Sequence, residues 1–211
     1  MTGRSPAVAS LVARVRDAVR TQPVAEAEVP THAVVRRVAG DGADLPALFA
    51  AKAHAVGMRV TRIGAGGLED ALRSMLEGRG RTVVAARDAA LAHIAIAAAG
   101  SRLAPNDDDD ILFDCEVGIT DVDAAIAESG SIVVSTNGRI RNAWITPPIH
   151  IAIVRVSQLL PDLVDLFELH ADALDAASTT VITGPSKTAD IEGVLVTGVH
   201  GPAAVDILLV D

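Results

Sequence analysis

Residues Met58–Ala98 read MRVTRIGAGGLEDALRSMLEGRGRTVVAARDAALAHIAIAA. Met58–Ile63 is a short apolar-bearing run, broken by Gly64-Ala65-Gly66-Gly67, and a helical pattern opens at Leu68. Thr82–Ala86 is a second short run, and Asp88 stands where an N-cap is needed for a helix continuing through Ala98. Strand and helix in regular alternation predict a parallel sheet, because parallel neighbours require a crossover that a helix supplies. Gly64–Gly67 lacks the full G-x-G-x-x-G spacing and reads as a plain turn rather than a phosphate loop.

The rhythm extends in both directions. Leu45–Val56 reads as a helix upstream. Downstream, Ile111–Phe113, Ser131–Ser135 and Ile149–Val154 read as strands, and Val205–Val210 as a last strand paired inside the sheet. The expected fold class is α/β, a mixed, mostly parallel sheet with helices on both faces. Residues 1–31 form a helical arm and linker, and residues 32–211 one α/β domain. In the arm, Val8, Leu11, Val12, Val15, Ala18 and Val19 make an apolar stripe, with Arg4, Arg14, Arg16 and Arg20 off it. Such an arm packs on its own domain or a second subunit more often than on a membrane.

Further expectations concern the middle of the chain. Thr120–Glu128 reads as a compact helix capped by Thr120 and Asp123, with Val122, Ala125 and Ile126 inward and Gly130 just past its end. Glu128 then lies in the last turn, where the helix dipole disfavours an acid and a functional role would explain it. Asn137-Gly138 is a two-residue hairpin signal. Ser157 is read as the cap of a helix running to about Leu174, with Pro161 in its first turn. Arg139 and Arg141 can bind a carboxylate or phosphate, although paired arginines are more often surface charge. Trp144 reads as a packing residue or interface anchor and His150 as a core histidine.

Composition excludes several classes. The 211 residues carry a net charge of −9, which argues against nucleic acid as a partner. Cys115 is the only cysteine, so this chain alone builds no disulfide framework and no cysteine-ligated iron–sulfur cluster. The six histidines form no H-x-x-x-H or H-E-x-x-H pair, so no metal site and no zinc are expected. Asp107–Asp110 reads as a solvated acidic loop rather than a metal site. No apolar run has the length of a membrane span and the N-terminus lacks the apolar segment of a signal peptide, so a cytoplasmic location is expected.

The chemistry-bearing residues are concentrated in Val181–Pro202, VITGPSKTADIEGVLVTGVHGP. Two polar, glycine-bearing turns end two apolar runs. Gly184, Ser186, Lys187, Thr188, Glu192, Gly198 and Gly201 are the candidate anion- or substrate-binding residues. Freed backbone N–H groups, hydroxyls and one ammonium suit a carboxylate or phosphate. Asp190 and His200, together with Glu128, are the candidate acid–base residues. Both loops are expected to share a cleft beyond the carboxyl ends of parallel strands. Thr183–Thr188 lacks the upstream glycine of a P-loop, and that reading is rejected.

Three segments resemble the LUD domain, in its LutC-type lactate utilisation form. They are Val117–Thr120 followed by Ala125–Ser131, then Pro147–Ala152, then Gly184–Glu192 with Gly198–Pro202. Together they span roughly residues 111–211. The resemblance implies a fold like that of the ribose-5-phosphate isomerase and CoA-transferase-like domains. It also implies a three-protein system that oxidises L-lactate to pyruvate, in which the partner proteins carry the iron–sulfur motifs. The lone Cys115 fits that division of labour.

Three functions follow as expectations. The first is a non-redox subunit supporting lactate oxidation beside iron–sulfur partners, with a small-anion pocket and a cofactor of its own left unknown. The second is a free-standing isomerase or acyl/CoA-transferase-like enzyme acting on a phosphorylated or carboxylated small molecule. The third is a structural or regulatory partner whose polar loops bind another protein.

Overall fold

In the computed structural model the described residues are 6–21, 42–105, 109–169, 173, 175–189 and 195–211. The chain divides into two units, Met1–Arg36 and Arg37–Asp211. The first contains the helix α1, Pro6–Thr21.

The second unit opens with α2 (Leu45–Ala55), whose first free N–H groups are met by the Asp44 carboxylate accepting from Ala47 N at 3.0 Å. There follow β1 (Arg59–Ile63), α3 (Leu68–Leu76), β2 (Thr82–Ala85) and α4 (Ala89–Ala99). Asp88 caps α4 by accepting from Ala90 N and Leu91 N. Next come α5 (Asp109–Phe113), β3 (Val117–Asp121), β4 (Ala124–Ile126), β5 (Ser131–Ser135), α6 (Asn142–Ile145) and β6 (Ile149–Arg155). The chain ends with β7 (Leu159–Leu160), α7 (Leu163–Leu169), β8 (Thr179–Ile182), β9 (Lys187–Thr188), β10 (Val196–Thr197) and β11 (Ala204–Val210).

The main sheet has the order β1-β11-β6-β3-β2, with every pairing parallel. Strands β2, β3, β6 and β11 are buried on both faces, which is why Thr82–Ala85 and Ile149–Val154 read as continuous apolar runs, whereas the edge strand β1 is largely exposed. One face packs Val84, Ile119, Ile151 and Leu208 against Leu68, Leu72 and Leu76 of α3 and Leu91 and Ala95 of α4. The other packs Ala152, Val154, Ile207 and Leu209 with Phe49 and Ala53 of α2 and Trp144 of α6. The α6 backbone comes so close to β3 that a Cβ on Gly118 would stand 1.8 Å from the Ala143 carbonyl oxygen. A second sheet, β7-β4-β5-β8, combines antiparallel and parallel pairs, and β9 and β10 form an antiparallel ribbon. The fold is therefore α/β and mostly parallel, as expected.

Four local expectations are corrected. Thr120–Glu128 is not a helix: it is the end of β3, a turn, and β4, paired with β5 on one side and β7 on the other. Residues buried on every side lose the alternation that marks a strand, and an alanine-rich run then mimics a helix face. With no helix there, the dipole argument for Glu128 falls. Ile111–Phe113 belongs to α5 rather than to a strand; Leu112 is buried and Phe113 exposed. Asn137-Gly138 does turn, with Gly138 at φ 70°, but the chain leads into α6 instead of a hairpin partner. The helix predicted from Ser157 begins only at Leu163, capped by Asp162 accepting from Val164 N; Leu159 and Leu160 form β7 beside β4. The last strand lies between β1 and β6, inside the sheet.

Candidate functional site

The two ends of the parallel sheet differ. At the carboxyl end, Asp121 closes β3, Arg155 closes β6, and Arg87 and Asp88 follow β2. The Arg139 side chain is wholly buried among them. Its Nε donates to Asp121 Oδ1 at 2.6 Å, and its Nη1 donates to Asp123 at 3.1 Å and to the Ser135 carbonyl at 3.3 Å. Asp121 also accepts from the backbone N–H groups of Arg87 and Asp88, and Asp123 from that of Ser135. Arg155 pairs with Asp88 at 2.6 Å. The Leu91 amide first, then Arg155, hold the Asp88 carboxyl below the usual carboxylate range. Arg139 is thus no surface charge. The sequence offered the signal in two aspartates flanking a turn, but Asp123 had been assigned to a helix cap.

At the amino end lies a pocket of about 320 Å³. Trp144, Ile145 and Val205 form its apolar side, with Thr180–Gly184, Ser186 and His200–Pro202 completing the lining. Trp144 is fully buried and donates through Nε1 to Thr180 Oγ1 at 3.3 Å. Two backbone bonds tie the loops together: Ser186 N donates to the Pro202 carbonyl and Gly198 N to the Ser186 carbonyl, each at 2.9 Å. Gly184 has φ 116°, and a Cβ there would lie 2.7 Å from the Val56 carbonyl oxygen. Behind the pocket stands His150, fully buried beside Val205 in the β6–β11 register. Its Nε2 is 2.9 Å from Thr120 Oγ1, and its Nδ1 has no hydrogen-bond partner among the described residues. Burial pushes its pKa down to about 4, so the ring is neutral at neutral pH.

Of the sequence-predicted residues, Gly184, Ser186, His200 and Gly201 line this one pocket. Gly198 joins their loops through its backbone bond to Ser186. Lys187 is not among the lining residues: its Nζ donates to the Val56 carbonyl oxygen at 3.4 Å. Thr188 pairs with Val196 in the ribbon. Glu128 is also outside the lining, its N–H donating to the Pro161 carbonyl. Its neighbours come nearer, since Ser129 Oγ meets Ser131 Oγ and Ser131 Oγ meets Thr183 Oγ1, each at 2.7 Å. Asp190 and Glu192 lie outside the described residues, as do Asp107 and the last residue of the helix expected to reach Leu174. Contrary to expectation, the loops do not lie beyond the carboxyl ends of parallel strands: Thr179–Ile182 belongs to the second sheet, and His200–Pro202 precedes β11. Sequence reasoning missed Thr180, Thr183 and Trp144 as pocket residues; only their places beside Gly184 and before Pro147 hinted at it. Among the described residues no cluster of three or more histidines, cysteines or acids has metal-binding spacing, and no helix is long and apolar enough to cross a membrane.

A five-stranded parallel sheet with a smaller second sheet and helices on both faces defines an α/β protein, with a pocket at the amino end of the main sheet. The chain belongs to the LUD domain family, whose model matches residues 79–210. It is 43% identical over 101 residues to lactate utilization protein C of an Exiguobacterium species, covering 45% of this chain and 44% of that protein. It is 39% identical over 102 residues to lactate utilization protein C of Halalkalibacterium halodurans, covering 46% of this chain and 44% of that one. The match thus spans less than half the length of these relatives. A solved DUF162 family protein from Deinococcus radiodurans shares the fold, with a TM-score of 0.62 and 19% identity over 79% of this chain and 96% of that one.

Proposed function

We propose that this chain is a component of a lactate-utilising system and that its amino-end pocket holds a small carboxylate, L-lactate or its oxidation product pyruvate. The observation that carries this reading is the meeting of Ser186, His200, Thr180 and Thr183 around one pocket with an apolar side. Hydroxyl and imidazole donors there suit a three-carbon acid: hydrogen bonds fix the carboxylate while the methyl group faces Trp144, Ile145 and Val205. The kinship with lactate utilization proteins supports the choice among small acids.

Oxidation of lactate removes two electrons and two protons. The single cysteine of this chain is buried, and it supplies no set of thiolates for an iron–sulfur cluster. Electron transfer is therefore assigned to iron–sulfur partner proteins, and this chain binds and orients the acid. His200, exposed and among the pocket-lining residues, would be the group that exchanges a proton with the substrate hydroxyl.

The reading is tested by calorimetric titration of the full chain with L-lactate, pyruvate and inorganic phosphate. Saturable binding of the two carboxylates, weakened about tenfold in Ser186→Ala and in His200→Ala, is expected. Reconstitution with the iron–sulfur proteins of the same system adds the second readout, L-lactate oxidation dependent on this chain. Binding of none of the three anions, with full oxidation in its absence, overturns the proposal.

A further inference from the structure

Helix α1 and helix α7 present matching surfaces of opposite charge. On α1, Leu11 and Val15 lie one turn apart and are 57% and 54% exposed. Arg14 and Arg16 flank that stripe on either side, while Asp17 and Arg20 lie towards the opposite face. On α7, Leu166 is buried against the second sheet, while Leu163 and Phe167, also one turn apart, are 45% and 63% exposed. Asp165 and Glu168 lie on the same short helix, which carries no basic residue. The imbalance extends to the whole chain. Residues 1–36 hold five arginines against three acids, so the rest of the chain carries −11 while the total is −9.

A helix such as α1 needs a partner. Sixteen residues are near the length at which even good helix formers are marginal in water. Its four valines lower the propensity further, and Arg16 and Arg20 repel at i,i+4. Covering Leu11 and Val15 is what stabilises it. We propose that α1 is an exchange arm: its Leu11–Val15 stripe docks on the Leu163–Phe167 stripe of α7 in a second copy of this chain, with its arginines against the acids of that copy. One chain carries both halves of the match, so two copies related by a twofold axis form the contact twice. Residues 22–41 separate α1 from the described part of the α/β unit, and a stretch of that length reaches up to about 70 Å when extended.

The test uses the full chain. Sedimentation at micromolar concentration is expected to show a dimer. The double variant Leu11→Asp with Val15→Asp, and separately Phe167→Glu, should weaken dimerisation about tenfold or more, as for a central apolar anchor. Both change exposed residues, so the melting transition of the α/β unit should persist and show that the variants fold. Arg16→Glu should weaken the dimer and Glu168→Arg should restore it. Val15→Cys protein mixed with Phe167→Cys protein should form a disulfide-linked heterodimer, since native Cys115 is buried. Any of three outcomes overturns the proposal. The chain is monomeric throughout, or its dimer ignores these substitutions, or a Val15→Cys/Phe167→Cys double variant closes only within one chain. Binding of monomers to phosphatidylserine vesicles, lost in the Leu11/Val15 variant, assigns the helix to a lipid surface and equally overturns it.

Discussion

At the carboxyl end of the main sheet the protein's own charges pair with one another beside a cavity of about 410 Å³ edged by Ala85, Ala86, Thr136 and Arg139, whereas the amino-end pocket of about 320 Å³ is lined by hydroxyls and an imidazole. In open parallel sheets ligands commonly sit at the carboxyl end. Here that end holds Arg139 between Asp121 and Asp123, with Arg155 on Asp88, so its charges are already paired, although the buried Arg139 Nη2 has no hydrogen-bond partner among the described residues. The amino end holds hydroxyls, an exposed imidazole and two loops joined by the Ser186–Pro202 and Gly198–Ser186 backbone bonds and the β9–β10 pairing. If the amino-end pocket holds the proposed carboxylate, substitutions at the two ends should fail in different ways.

The largest effect is expected at the carboxyl end. Arg139→Met leaves two aspartates buried with their cation removed, and breaking a buried pair from one side costs about 3–5 kcal/mol. Chemical denaturation should show the loss in full. If Arg139→Met is as stable as the natural protein, the carboxyl end is not held by these pairs and the contrast is void.

Acid should strike the other end through His150. The folded ring titrates at about 4, against an ordinary value of 6.5. Below 6.5 the unfolded chain takes up a proton that the folded chain refuses. Stability is therefore complete above 6.5 and declines as pH falls towards 4, by at most about 3 kcal/mol. His150→Gln should flatten that slope between pH 6.5 and 4 while keeping a polar atom for Thr120. An unchanged slope would assign the acid sensitivity to other groups.

The same contrast explains what could be read from the sequence. Thr82–Ala85, Ser131–Ser135 and Ala204–Val210 were legible because a strand covered on both faces must be apolar throughout. Thr120–Glu128 was not, because its partners β5 and β7 are distant in the chain and local pattern cannot report them. Leu159-Leu160 was absorbed into a helix for the same reason. Of the candidate site, Gly184, Ser186, His200 and Gly201 were legible as polar residues crowded at two turns. Their position at the amino end was not, since a turn does not declare which sheet its strand has joined. Arg139 was hidden because a buried arginine is intelligible only once both aspartates are seen beside it.

At the amino end the effects should fall on binding. Ser186→Ala and His200→Ala each remove one polar group from the pocket. Each should weaken carboxylate binding about tenfold, or 1.4 kcal/mol. His200 is exposed, so its replacement should change stability by no more than about 0.5 kcal/mol. Loss of stability without loss of binding would make the amino end another structural cluster.

The smallest effect should come from Lys187. By residue type it is the natural anion ligand of its loop. Its ammonium, however, donates to the Val56 carbonyl and is not among the groups lining the pocket. It is exposed, so solvent screens its attraction for an anion held by Ser186 and His200. Lys187→Ala should therefore change stability by no more than about 0.5 kcal/mol. It should weaken carboxylate binding about twofold, the scale of a screened surface charge. Added salt separates the two possibilities, because a direct charge-assisted contact would make affinity fall steeply with ionic strength and Lys187→Ala would abolish that dependence. If Lys187→Ala removes binding outright while Ser186→Ala spares it, the anion sits on the Val56 side of the loop and the pocket beside Trp144 is not its site.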